Sequence, residues 1–371
     1  VRFFFSAGEA SGDTYAAALT KALREVYPDA VFEGLGSRRS AEAGVRLIQD
    51  SATWGVIGIV QGLKQLPKIS RGLKIVKKAM AAGEPGLFIP IDYGYVNIRL
   101  VRFAKKLGWK VLYFVPPGSW RKDKQGADLP SLTDAIVTPF PWSAEILKGM
   151  EANAYFFGHP LAELIEDVPE PEERRGVAVL PGSRHHEIEA HMEVIVPALK
   201  GWEGPITIGV AQTMAEGELE AVWEGLGGPK AQFSRSIHQV MKSARVGVVC
   251  SGTATLEAAL CGLPMVLIYR GTKAMQIEGK IRKPKFFAIG LPNIIAGKMI
   301  VPELIGEGVT PDAIRSNLVV LNADSVERRD QLEAFGILQE QLSGSRVIEE
   351  TVEVVRSLVQ SSDPAAPGDR L

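Results

Sequence analysis

Residues 2–28, RFFFSAGEASGDTYAAALTKALREVYP, hold the pattern that decides the fold. The apolar run at 2–5 reads as a buried strand, and the small and polar residues at 6–13 read as a turn. Over 14–27, Tyr15, Leu19, Ala22, Leu23 and Val26 recur on one helical face before Pro28 stops the helix. Strand, loop and amphipathic helix in that order form a βα unit. The same rhythm returns at the strand candidates 86–91, 110–114, 135–137 and 154–157, separated by helical patterns such as 96–107 and 143–150. Such alternation predicts a parallel sheet covered by helices.

The unit repeats beyond an interruption. At 166–176 the sequence EDVPEPEERRG is acidic and proline-rich and predicts an inter-domain linker. Strand candidates then resume at 177–180, 205–210, 246–250 and 264–269, with helices starting near His186, Ile237 and Ala254. The expected organisation is a Rossmann-like domain over 1–167, a linker at 168–176 and a second Rossmann-like domain over 177–340. A helix over 341–360 and a flexible tail at 361–371 follow. The length of 371 residues suits two such domains of roughly 100–200 residues each. Ligands of doubly wound sheets bind beyond the strand ends, so the chemistry is expected in a cleft between the domains.

Composition narrows the function. A net charge of −1 argues against nucleic-acid binding, which draws on a large cationic field. The two cysteines, Cys250 and Cys261, have no zinc-site spacing, and no signal-peptide pattern opens the chain, so a reducing cytoplasm without disulfides is predicted. No apolar run is long enough to span a bilayer.

Three loops carry candidate chemistry. In VAVLPGSRHHEIE, residues Pro181, Gly182, Ser183 and Arg184 lie between a strand and a helix start, where free amides and the helix dipole favour a phosphate. In VGVVCSGTATLEAAL, the small residues Ser251, Gly252 and Thr253 allow close backbone approach to an anion, and Glu257 can accept hydrogen bonds from a ribose diol. In SAGEASGD, Gly8 and Gly12 permit a tight loop, and Glu9, Ser11 and Asp13 supply polar groups. That loop is not G-x-G-x-x-G, and Asp13 is equally suited to cap a helix. The chain also lacks the P-loop pattern of nucleotide hydrolases.

Of the histidines, His186 and His191 are five positions apart, about 140° around a helix, which does not suit one metal ion. No metal and no cofactor is expected. His159, in a Gly-His-Pro turn, reads equally as a proton-transfer group and as a satisfied turn histidine. Over 55–80, Lys64, Lys68, Arg71, Lys74, Lys77 and Lys78 interleave with apolar residues at helical spacing and without an acidic residue. This face suits an anionic membrane surface, or else simply water.

SAGEASGD at 6–13, GVIGIVQGLKQLP at 55–67, FFGHPL at 156–161, LPGSR at 180–184, SGTATLE at 251–257, LPNI at 291–294 and VPEL at 301–304 together resemble the lipid-A-disaccharide synthase family. The resemblance spans residues 3–305. It implies a GT-B fold of two Rossmann-like doubly wound domains facing a central cleft, with acceptor on the first and UDP on the second. It implies transfer of 2,3-diacylglucosamine from UDP to 2,3-diacylglucosamine 1-phosphate with inversion, giving the lipid A disaccharide. Partners would be the UDP-sugar donor, a phosphorylated acyl-sugar lipid acceptor, an anionic membrane surface and a second copy of the chain in a homodimer. The protein would sit in the cytoplasm, peripheral to the inner membrane.

By the same resemblance, Gly182, Ser183, Arg184, Ser251, Gly252 and Thr253 take the donor pyrophosphate, Glu257 the ribose, and Asn293 another part of the donor. Ser11, Gly12 and Asn97 face the acceptor. The family's I-D-x-P-D-F-N reads here IDYGYVN, with Tyr95 in place of the second aspartate and Asp92 and Asn97 retained. Asp92, Glu9 and Asp13 are therefore all candidates for the base. The 113–121 run is shortened and Gly306 stands where glutamine commonly occurs. These departures keep two alternatives open: a divergent glycosyltransferase with another sugar or lipid acceptor, and a non-catalytic nucleotide-sugar or lipid-binding protein.

Overall fold

The computed structural model describes residues 1–52, 54, 59–117, 128–166, 168–183, 185–212, 214–270, 288–344 and 346–361, with backbone only for 59–66, Tyr95, Glu166 and His186. The expectations for Arg184, for the side chains of Lys64 and Tyr95, for the run 118–121 and for the tail from 362 lie outside the described residues. Two compact units result, one of residues 1–160 with 342–371 and the other of 161–341.

The first unit is built on seven parallel strands: β1 Arg2–Ala7, β2 Val31–Gly36, β3 Arg46–Asp50, β4 Leu87–Ile91, β5 Lys110–Phe114, β6 Ala135–Val137 and β7 Ala154–Tyr155. Their spatial order is β3-β2-β1-β4-β5-β6-β7. In β1, Phe3, Phe4 and Phe5 are all fully buried, as a central strand covered on both faces requires. Phe4 packs with Phe88 and Trp109 on the face that also buries Leu73 and Val76 of helix Ile59–Met80 and Val96 and Leu100 of helix Gly94–Lys106. Phe3 stacks on Phe32 and meets Tyr27 on the opposite face.

Helix Ala10–Val26 packs against the chain's last described helix, Val347–Gln360. That helix buries Val347, Val352 and Val355, and Lys110 Nζ donates to the Leu358 carbonyl at its end, 2.8 Å away.

The second unit has six parallel strands: β8 Val177–Leu180, β9 Ile206–Gly209, β10 Gln232–Ser234, β11 Val246–Cys250, β12 Met265–Tyr269 and β13 Glu303–Ile305, in the order β10-β9-β8-β11-β12-β13. Both sheets therefore reverse direction beside their first strand, the doubly wound arrangement.

The segment 168–176, expected as a linker, is tied to the second unit. Lys242 Nζ donates to the Val168 carbonyl at 2.6 Å and pairs with Glu170. Arg174 donates to the carbonyls of Cys261 and Gly262, at 2.7 and 2.8 Å, closing the C-terminus of helix Thr253–Leu260. A stretch too polar to bury is instead tied down through charged donors on backbone carbonyls.

Candidate functional site

In the first unit the reversal point lies between β1 and β4. The helix after β1 covers one face and the helix after β4 the other, so the loops at their C-terminal ends part and leave a crevice. Glu9 ends the loop after β1, and Asp92 begins the loop after β4. Both are partly exposed. Asp92 and Tyr93 each have φ of +48°, a left-handed backbone that non-glycine residues adopt only when their surroundings impose it.

What imposes it is a set of hydrogen bonds to the Asp92 main chain. Asn97 is fully buried, and its Nδ2 lies 2.8 Å from the Asp92 carbonyl, 3.0 Å from that of Ile91 and 3.1 Å from that of Ser6. Ser6 Oγ donates back to Asn97 Oδ1 at 2.6 Å, so one amide sews β1 to β4. The Tyr113 hydroxyl adds a bond to the Asp92 carbonyl at 2.9 Å, and the Asp92 amide donates to the Val115 carbonyl at 3.1 Å. Tyr93 lays its ring over Gly8, where a Cβ would come within 2.0 Å of it.

The carboxyl of Asp92 is pushed up to about 6, first by burial and then by the charge of Glu9, against a lowering hydrogen bond from the Tyr93 amide. At neutral pH such a group is largely ionised yet more basic than an ordinary carboxylate. Asp13, in contrast, is consumed. Its carboxylate accepts from the amides of Ser37, Arg39 and Ser40 at 2.7, 2.9 and 3.2 Å and from the Ser40 hydroxyl, capping helix Arg38–Glu42. Asn97, expected to face the acceptor, engages both of its polar atoms within the fold. Ser11 remains partly exposed in the first turn of helix Ala10–Val26, while Gly12 is buried beneath it.

His159 is buried, and burial pushes its imidazole down to about 3, which leaves it a neutral core residue packed near Phe140.

In the second unit the reversal falls between β8 and β11, with Val249 opposite Leu180. Gly182 and Ser183 leave β8, and Ser251 and Gly252 leave β11 beside them. Gly182 has φ of +113° and Gly252 of +144°, backbone shapes that favour glycine. Among the described residues, a Cβ on Gly252 would meet nothing within 4 Å. Thr253 starts helix Thr253–Leu260, whose first amides face the same side.

Glu257 lies on that helix and pairs through Oε2 with His238 Nε2 at 3.1 Å. The loop after β8 is braced from behind. Since the Arg270 amide can only donate, its 3.1 Å contact makes His191 Nε2 an acceptor. The proton is then on Nδ1, which donates to the Pro181 carbonyl at 2.8 Å. His191 is thus a buried bridge between the loop after β8 and the end of β12.

Asn293, expected to contact the donor, lies in a hydrogen-bond network of its own unit. It is fully buried, accepts from the Ile300 and Val301 amides at 2.7 and 2.9 Å, and donates to the Val301 carbonyl at 2.9 Å and to Glu303 Oε1 at 2.7 Å. Glu303 also accepts from the Ile289 and Gly290 amides, each at 2.9 Å, and Ser251 Oγ reaches the Ile289 carbonyl at 3.4 Å. LPNI and VPEL therefore form one knot that supports the end of β11.

Sequence reasoning brought Glu9 and Asp92 to one crevice and Gly182, Ser183, Ser251, Gly252, Thr253 and Glu257 to another. It missed His238, His191, Ser6, Tyr113 and Glu303, whose roles depend on partners 19, 10, 91, 21 and 10 residues away. Among the described residues, no group of three or more His, Cys, Asp or Glu gathers to hold a metal ion.

The signature of the lipid-A-disaccharide synthetase family matches residues 3–348. The chain is 31% identical to the lipid-A-disaccharide synthase of Trichlorobacter lovleyi, over 97% of this chain and 98% of that one. It is 32% identical to the synthase of Myxococcus xanthus, over 95% and 97%. Among solved structures it is similar to the calicheamicin glycosyltransferase CalG4, with a TM-score of 0.62 at 13% identity over 98% of this chain and 99% of that one. It is also similar to Acinetobacter baumannii MurG, with a TM-score of 0.56 at 16% identity over 96% and 99%. At those identities the solved structures speak to the fold, which is GT-B.

Proposed function

The chain belongs to the lipid-A-disaccharide synthase family, and from that premise we propose that Asp92 is the base of a sugar transfer whose UDP is held by the loops after β8 and β11. The enzyme is a hexosyltransferase. Its reaction moves 2,3-diacylglucosamine from UDP to 2,3-diacylglucosamine 1-phosphate. Asp92 takes the proton of the acceptor hydroxyl, the freed oxygen forms a bond to the donor's anomeric carbon, and the bond from that carbon to the UDP oxygen breaks with inversion. UDP leaves with the electron pair.

The observation that carries the assignment is the Asp92 carboxyl, raised to about 6 at the reversal point of the first sheet and held on a backbone it would not adopt alone. A base near this value removes a proton more readily than an ordinary carboxylate and is still ionised at pH 7. Glu9 contributes through its charge and Asp13 through the fold. This reading also accommodates Tyr95, because the retained Asp92 carries the proton transfer.

The loops at Gly182–Ser183 and Ser251–Thr253, with Arg184, meet the leaving pyrophosphate, and Glu257 accepts the ribose hydroxyls. Ser11 offers a polar contact to the acceptor. On helix Ile59–Met80, Lys68, Arg71, Lys74 and Lys78 are exposed while Ile69, Leu73 and Val76 face inward, and Ile75 is 45% exposed beside the cations. Among the described residues no helix is long and apolar enough to cross a membrane. This cationic face supports peripheral contact with the anionic cytoplasmic side of the inner membrane, where an acylated acceptor resides.

The test is UDP release from UDP-2,3-diacylglucosamine with and without the monosaccharide 1-phosphate. Acceptor-dependent release by the wild type, lost in Asp92→Asn and retained in Asp13→Asn protein that still folds, is the expected result. UDP binding without turnover in the wild type overturns the proposal and favours a non-catalytic binding protein.

A further inference from the structure

We propose that His238 is a positioning residue of the donor site, holding the Glu257 carboxylate in the orientation that selects a ribose 2′-hydroxyl. The inference rests on the reading of Glu257 as the ribose contact. His238 stands at the start of helix Ile237–Ser243, after β10, and Glu257 stands on the helix after β11. Two separate βα units therefore bring the pair together. The contact is direct, 3.1 Å from Nε2 to Oε2.

The side chains are 24% and 19% exposed, so both are anchored and both are within reach of a ligand. An ionised carboxylate only accepts hydrogen bonds, so the imidazole Nε2 is the donor of this one. Oε2 is thereby held on His238, which restricts how the carboxylate can turn.

A diol contact depends on that turn. Two ribose hydroxyls donate to a carboxylate side by side only when its oxygens are turned to meet them, and a glutamate held at one point has three side-chain torsions to set on binding. The His238 bond restricts them in advance, which lowers the ordering cost of the complex. His238 acts through Glu257, and its effect falls on the choice of nucleotide rather than on the bond being made.

The experiment is calorimetric titration of the intact protein with UDP and with 2′-deoxy-UDP, for the wild type, His238→Ala, His238→Gln and Glu257→Gln. The wild type is expected to prefer UDP by about tenfold or more, the effect of one hydrogen bond to a charged group. In His238→Ala the preference shrinks towards unity mainly through weaker UDP binding. His238→Gln, whose amide nitrogen can donate from a similar place, restores much of it.

Two results overturn the proposal in different ways. If the wild type prefers UDP and His238→Ala keeps the same ratio, or loses affinity for both nucleotides equally, His238 does not orient Glu257. If the wild type and Glu257→Gln bind both nucleotides alike, the ribose reading of Glu257 itself is wrong and the proposal falls with it.

Discussion

The Asn97 side chain donates to the main-chain carbonyl of Asp92 at 2.8 Å, so the residue proposed to move the proton is held by one that is itself fully buried. The same amide reaches Ser6 and Ile91, which makes it the joint between the two central strands at their working ends.

Replacing Asn97 with alanine leaves several buried carbonyls and the Ser6 hydroxyl short of a partner. A loss of stability of about 1–3 kcal/mol is expected from the unmet polar groups. Turnover should fall further than unfolding explains, because the left-handed backbone at Asp92 loses its principal restraint. Thermal melts and initial rates on the same preparation separate the two effects.

The rate should decline on the acid side of a limb near pH 6, as Asp92 is protonated. Glu9 raises that carboxyl by its charge, so Glu9→Gln should move the limb to lower pH. A limb that stays in place in this variant counts against the Glu9 to Asp92 coupling. The stability consequence has the opposite sense from that of a salt-bridged aspartate. A carboxyl whose folded value is above the unfolded one stabilises the fold when protonated, and that contribution is lost as pH rises from about 4 through about 6. Asp92→Asn should therefore melt higher than wild type at pH 7.5 while losing turnover, a difference that should narrow at pH 4.

Asn293→Ala should act on the fold before the ligand. Its amide makes four hydrogen bonds, two buried and two part-buried, that close the segment 289–303, and their loss should lower the melting temperature by several degrees. UDP affinity of the folded fraction should change less than tenfold. A larger drop in affinity with an unchanged melt would make Asn293 a direct donor contact after all.

At Gly252, alanine meets no neighbouring atom among the described residues but must adopt φ near +144°. The cost is conformational, about 1–3 kcal/mol, and is met either in stability or by a loop that no longer presents its amides. Weaker UDP binding by this variant, measured beside Gly217→Ala at φ +75° on the exposed turn before helix Glu218–Gly225, distinguishes loss of the phosphate loop from general backbone strain.

The architecture was legible because the central strands announce themselves. The runs RFFF, GLFIPI, VAVL and VGVVC are apolar on both faces, as only covered parallel strands can be. β2 is different: its sequence is VFEGLG, and it escapes a hydrophobicity reading although Phe32 and Leu35 are buried in it. Its Glu33 is buried between Arg2 and Arg46, and at Gly34 a Cβ would fall 2.0 Å from the Phe5 carbonyl oxygen. Polarity and glycine there serve pairing geometry, which composition does not convey.

The site was legible where loops leave the sheet and illegible where a side chain turns inward. Gly182, Ser251 and Gly252 could be placed from strand and helix signals alone. Asn97 and Asn293 stand in motifs that look functional, yet both spend their amides on partners within their own unit. Nothing in one sequence distinguishes a polar residue facing a ligand from one facing its own backbone.

The return of helix Val347–Gln360 to helix Ala10–Val26 has a consequence for biogenesis. On a ribosome, the first unit's strands emerge early, but the helix that covers this flank is made only after all of 161–341. The second unit is continuous in sequence and can close as soon as it is extruded, whereas the first must wait with an apolar flank uncovered. The later-made half is thus free to finish folding first, and a nascent chain arrested before residue 347 should carry a sticky surface that recruits chaperones.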